Sequence, residues 1–152
     1  MTEQETLAAM ASHAFLRGLS ERQLAALASY AKSVTIAAGE FLGREGEPAS
    51  AFYLIHSGRV ALEIHTPAGG PVRIQTVGAG EPVGWSWIVP PNRWQFDARA
   101  VESVQAFALD ADRLREKCEQ DHELGYQLLK RLVAVIANRL AATRLQLLDI
   151  YR

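Results

Sequence analysis

One cysteine, Cys118, stands alone in 152 residues. No internal disulfide is available to it, and a lone thiol fits a reducing compartment. Neither sign of charge is in excess: 16 Lys and Arg against 17 Asp and Glu leave a formal net charge of -1. Such a balance gives no electrostatic footprint for nucleic acid. No apolar run reaches the ~18 residues of a membrane span. The opening, MTEQETLAAMASHAF, has acids where a secretory signal carries a basic region, and it lacks a long apolar core. A cytoplasmic protein is the expectation. The histidines, His13, His56, His65 and His122, fall at no metal-ligand spacing, and no His-x-His occurs. Gly-x-Gly-x-x-Gly, P-loop and Gly-x-Ser-x-Gly patterns are all missing. With neither paired acids nor metal ligands, no enzyme, catalytic residue or metal site is expected. Cys118 follows Glu116-Lys117 on an expected helix and reads as an inert thiol.

What is present is ordinary for a soluble domain: 49% hydrophobic and 22% charged residues. The length suits one domain over residues 1–152. Helical texture covers residues 5–32. Ser20 reads as an N-cap, and Gln23 three residues on completes a capping box. Residues 33–109 change character. Gly39, Gly43, Gly46 and Pro48 break the chain into short strands. AFYLIHSGRVALEIHT holds two β-rich runs joined at Ser57-Gly58, a hairpin signal. Val60, Leu62 and Ile64 alternate with Ala61, Glu63 and His65, one side in and one out. WQFDARAVESVQAFALD adds two more strands around Glu102-Ser103. Many short strands with close turns predict a β-roll, barrel or sandwich rather than a parallel sheet.

Residues 110–152 are helical. Asp110 or Asp112 caps a short helix, and a proline-free stretch from His122 follows. Leu129, Leu132, Ile136, Leu140, Thr143, Leu147 and Ile150 form one stripe, with Leu128, Val135, Ala142 and Leu145 beside it. A helix of ~28 residues would be ~42 Å long, so part of it overhangs its own domain. Two stripes on such a helix call for two partners, the domain and a second subunit in a homodimer. The alternative is a helix that bends back and buries both stripes internally.

The run FLRGLSERQLAALASYAKSVTIAAGEFLGREGEPASAFYLIHSGRVAL resembles the opening of a cyclic-nucleotide-binding domain of the catabolite-activator (Crp/Fnr) type. The likeness rests on the Gly39-Glu40, Glu45-Gly46 and Ser57-Gly58 turns and extends from about Phe15 to the C-terminus. It implies a mainly β fold with flanking helices: an eight-stranded antiparallel, jelly-roll-like β-roll and a long C-terminal dimerisation helix. It also implies a ligand cradle late in the roll. There a Gly-Glu pair, and an Arg-Ser or Arg-Thr some ten residues on, would hold ribose and cyclic phosphate.

That cradle aligns with GEPVGWSWIVPPNRWQFDARA, which holds all three tryptophans of the chain. Gly84 opens it, followed by Trp85 and Ser86. Trp85 falls at the ribose glutamate and Trp94 at the phosphate arginine, with Gln95 in the Ser/Thr position. Alternation turns Trp94, Phe96, Ala98 and Ala100 inward. A second register would make Glu81 and Arg93 the ribose and phosphate contacts, with the spacing two residues too long. On the last helix, Arg139-Leu140 match the family's Arg-Leu. Thr143 falls on a base-contacting threonine, or is simply a small residue at a helix seam, and Arg144 replaces a serine. The tryptophans either fill the pocket or line it for another planar effector, with Arg93, Arg99 or Arg144 free to meet an anion. Asp97 and Arg99, two apart on one strand, share a face and suit an edge ion pair. The chain reads as a stand-alone sensor or regulatory domain with an altered or lost nucleotide site. It would act through a protein partner, without membrane or direct DNA contact and without an obligate cofactor. A degenerate dimeric scaffold, and a genuine cyclic AMP or GMP binder using Glu81 and Arg93, are the alternatives.

Overall fold

The computed structural model of the chain describes residues 2–150. Helix α1 (Glu3–Ala11) starts at Thr2, whose side chain accepts the Glu5 N–H. A short 3-10 turn (Ala14–Leu16) leads to α2 (Glu21–Ser29). The capping box is in place: Ser20 Oγ accepts the Gln23 N–H at 3.1 Å and Gln23 Oε1 accepts the Ser20 N–H at 2.9 Å. Eight strands follow: β1 (Ala31–Ile36), β2 (Phe41–Gly43), β3 (Ala51–Ser57), β4 (Val60–Thr66), β5 (Gly70–Val77), β6 (Pro82–Val83), β7 (Asp97–Ala100) and β8 (Val104–Asp110).

These strands do not make the expected jelly-roll. They form two separate four-stranded antiparallel sheets, ordered β1-β8-β3-β6 and β2-β7-β4-β5, and neither closes into a barrel. The fold is mixed, two sheets with flanking helices. The Ser57-Gly58 turn is correspondingly no hairpin. β3 and β4 lie in different sheets, and so do β7 and β8. Burial supplies the physical reason. Phe52 and Leu54 of β3 sit beside Leu109 and Phe107 of β8 in register, and all four are buried on one face. That face packs on the helical layer, where Phe15 meets Phe52 edge-on at 5.7 Å. The opposite face of the first sheet, which carries Tyr53, looks toward the second sheet, and Tyr53 reaches Trp94. Pairing β3 with β4 would break this non-local match.

Strict alternation also fails in β4. Ala61 and Glu63 are buried along with Val60 and Leu62, because Arg99 covers the Glu63 carboxylate. Asp110, not Asp112, caps α3 (Ala111–Gln120), accepting the Arg113 N–H at 3.0 Å. Helix α4 (His122–Ile150) has 29 residues and so a length of ~44 Å. Leu124, Leu128 and Leu132 bury against the domain, while Val133, Ile136, Leu140, Leu145, Leu147, Leu148 and Ile150 are exposed. Two contacts still tie the far half of α4 to the sheets: Arg139 Nη2 donates to Pro82 O at 2.5 Å, and Gln146 Nε2 to Ile74 O at 3.2 Å. The expected end of the helical segment, Tyr151-Arg152, lies outside the described residues.

Candidate ligand pocket

The segment between β6 and β7 is built around Gly84. Its φ of 95° lies in the left-handed region that glycine adopts without strain. It opens the 3-10 turn Trp85–Trp87. Ser86 and Trp87 are buried, Trp85 half-buried, and the Trp87 ring stands 5.5 Å from Phe52. Asn92, itself at φ 58°, locks the turn by donating Nδ2 to Ser86 O (3.1 Å) and Trp87 O (3.0 Å). Arg115 of α3 donates to Trp87 O at 2.7 Å. The Pro90-Pro91 bond is cis.

Trp94 points inward, as alternation requires, and is only 4% exposed. Its main chain is clamped to the β2–β3 loop: Trp94 N donates to Glu47 O and Trp94 O accepts the Gly46 N–H, each at 2.9 Å. Its indole fills the space between two glycines. A Cβ on Gly43 would lie 2.0 Å from Trp94 Cε2, and one on Gly84 would lie 2.9 Å from Cη2. Both are closer than packed carbon atoms tolerate. Tyr53 and Phe96 complete the surroundings, with ring centroids at 6.4 and 6.1 Å.

The charged candidates are engaged elsewhere. Arg93 is exposed and donates to Gly46 O at 2.8 Å. Gln95 is exposed and bonds back to Arg93 O. Arg99 lies on the opposite side of β7 from Ala98 and Ala100 and grips Glu63 with two bonds of 3.0 Å. These bonds hold the Glu63 carboxyl below the usual carboxylate range, against the opposing effect of burial. The expected Asp97–Arg99 pair is therefore replaced by two others, Glu63–Arg99 and His65–Asp97, the latter at 3.1 Å. Glu81 accepts the Gly78 N–H at 2.7 Å and closes its own turn. Thr143 is exposed, its hydroxyl donating to Arg139 O one helical turn back, and Arg144 is exposed beside it.

Two residues to which the sequence assigns no part in the pocket, Gly43 and Asn92, prove structural to it, as does Arg139, which was matched only to the family's Arg-Leu. Gly43 admits the indole, Asn92 fixes the tryptophan turn, and Arg139 ties α4 to β6. Burial pulls the Arg139 guanidinium down from its ordinary pKa, offset by nearby Glu81. In the sequence Gly43 carries only the signal of a strand breaker. Asn92, after Pro-Pro, carried the signal of a residue tolerant of positive φ.

Residues 33–121 match the model of the cyclic nucleotide-binding domain. This chain belongs to that family. The cyclic nucleotide-binding domain described here is 28% identical over 141 residues to a CRP-like cAMP-activated global transcriptional regulator of Mycobacterium tuberculosis. That match takes in 93% of this chain and 61% of the relative, so the domain spans less than two thirds of the regulator's length. Among solved structures it is similar to a putative cyclic nucleotide-binding protein from Geobacter metallireducens, at TM-score 0.78 and 24% identity, covering 92% of this chain and 98% of that one. It is also similar to the sensor domain of the transcriptional regulator DNR from Pseudomonas aeruginosa, at TM-score 0.73 and 24% identity, covering 91% and 93%. These relatives are regulators and sensor domains rather than enzymes. Among the described residues no cluster of His, Cys, Asp or Glu is arranged to hold a metal ion, and no helix is long and apolar enough to cross a membrane.

Proposed function

We propose that this cyclic nucleotide-binding domain is a regulatory module whose nucleotide pocket is filled from within by Trp94. On this reading it does not take cyclic AMP or cyclic GMP there, and it signals through protein partners from a homodimer built on α4. The observation that carries the reading is the indole wedged between Gly43 and Gly84. The family resemblance puts a phosphate-binding arginine at that position, and a ribose-binding glutamate at Trp85. A cyclic monophosphate entering here would have to displace a buried ring and would find an indole where the resemblance puts the phosphate-binding guanidinium. Leaving its charge unpaired costs about 2–5 kcal/mol, enough to turn micromolar binding into millimolar. Arg93 and Glu81 do not make up the deficit, since Arg93 is bonded to Gly46 O of the β2–β3 loop and Glu81 closes its own turn.

Protein partners fit better than nucleic acid, because the net charge is -1 and α4 presents a long exposed apolar stripe. A thermal-shift titration of the purified protein with cyclic AMP and cyclic GMP tests the proposal. The expected result is no saturable rise in Tm up to millimolar ligand. A rise that saturates at micromolar concentration refutes it.

A further inference from the structure

At the β1 edge of the first sheet lies a cleft of about 580 Å³ that neither the nucleotide reading nor the α4 interface uses. Register shows how it is made. Lys32 of β1, Ala108 of β8 and Tyr53 of β3 lie side by side across the sheet and so project to one face. Lys32 and Tyr53 are ~10 Å apart in the backbone, two strand spacings, with the small Ala108 between them. The result is a trough with a methyl floor, extended along β1 by Val34.

Its walls are aromatic and its mouth is cationic. Tyr53 forms one wall, its other side turned to Trp94. Tyr30 forms part of the opposite wall, with the Arg113 guanidinium 4.9 Å above its ring centroid. Neither Lys32 nor Arg113 has an ion-pair partner among the described residues. The nearby acid, Asp110, already spends one oxygen on the Arg113 backbone N–H. Burial raises the Tyr53 pKa above 10, so the phenol stays a neutral hydrogen-bond donor at physiological pH.

We infer that this cleft is a binding site for a planar aromatic carboxylate. Its ring would lie in the trough over Ala108 and Val34 between Tyr53 and Tyr30, and its carboxylate would meet Lys32 and Arg113. The site is separate from the tryptophan-filled pocket and does not depend on the reading given to it.

The test is a 1H–15N NMR titration with 1-naphthoate, with neutral naphthalene-1-methanol as comparator. Saturable shifts are expected at the amides of Lys32, Tyr53 and Ala108, with the neutral analogue at least about tenfold weaker. Lys32→Glu and Arg113→Glu, both at exposed positions, should each weaken binding about tenfold or more. Arg59→Glu, the same charge change elsewhere on the surface, should leave the affinity unchanged. No saturable shift, shifts centred on Trp85 and Trp94, equal binding of the neutral analogue, or equal weakening by Arg59→Glu would each overturn the inference. Cyclic AMP binding in the tryptophan pocket would refute the proposal above without touching this one.

Discussion

At the scale of single residues, the pocket turns on a pair of positions 51 apart, Gly43 and Trp94. Truncating a buried tryptophan to alanine commonly costs 3–5 kcal/mol, and Trp94→Ala should fall in that range by urea denaturation. Gly43→Ala should cost at least 1–3 kcal/mol, because the new methyl meets the indole. The two effects should not add: in the Trp94→Ala background, Gly43→Ala should be nearly neutral. Additive costs would show that the indole is not what Gly43 makes room for. The inward direction of Trp94 was legible from alternation along WQFDARA. The partner of Arg99 was not. Asp97 is closer in sequence, but Glu63 comes from a neighbouring strand, and strand adjacency is non-local information.

His13 sets a second residue-scale expectation. Its Nδ1 accepts the Phe15 N–H at 3.2 Å and its Nε2 lies 2.8 Å from Ile55 O, which fits a neutral ring carrying its proton on Nε2. Burial lowers its pKa from 6.5, opposed by the Ile55 carbonyl and aided by His56. The unfolded chain therefore takes up the proton more readily. The His13 contribution is complete above pH ~6.5 and is lost as pH falls from there through the lowered folded value. Glu63 behaves as a depressed carboxylate, its contribution present above its ordinary pKa of 4.5 and lost at more acid pH. Denaturation curves between pH 8 and 5 should show falling stability, and His13→Leu should flatten that slope. An unchanged slope would remove His13 from the explanation.

At the scale of elements, the helices were the most readable. The Ser20–Gln23 box, the Asp110 cap and the long α4 each follow from local chemistry that a single segment contains. The strands were visible as strands, but their partners were not. Ser57-Gly58 has the composition of a hairpin turn, yet the chain uses it to leave one sheet for the other. What decides this is the match of Phe52 and Leu54 with Leu109 and Phe107, some 55 residues away in sequence. Local turn signals cannot weigh that match against a hairpin. The same limit concealed the failure of the roll to close, since closure depends on the edges β1, β6, β2 and β5 finding partners. Helix α4 carries the element-scale prediction. Its far half exposes Ile136, Leu140, Leu147 and Leu148, a stripe suited to a second copy of the helix. Sedimentation of the wild type should give a dimer. Leu140→Glu, at a site already 50% exposed, should give a folded monomer. A monomeric wild type would remove the dimer from the proposal.

At the scale of the molecule, the chain keeps its family's domain, and the proposal is that the interior has been reassigned. Trp94 stands between Tyr53 of the first sheet and Gly43 of the second, at the position where the resemblance puts a phosphate-binding arginine. The grounds for that proposal were partly legible in the sequence: two tryptophans align with a glutamate and an arginine of the resembled cradle. Whether the rings line the space or fill it depended on Gly43, whose role appears only once β2 is laid beside β7. The most direct measurement uses the three indole N–H signals of the folded protein, one from each tryptophan, followed by 1H–15N NMR as cyclic AMP is added to millimolar concentration. The account predicts that the Trp85 and Trp94 signals stay where they are. Saturable movement of either at micromolar cyclic AMP would show an open nucleotide site and contradict it.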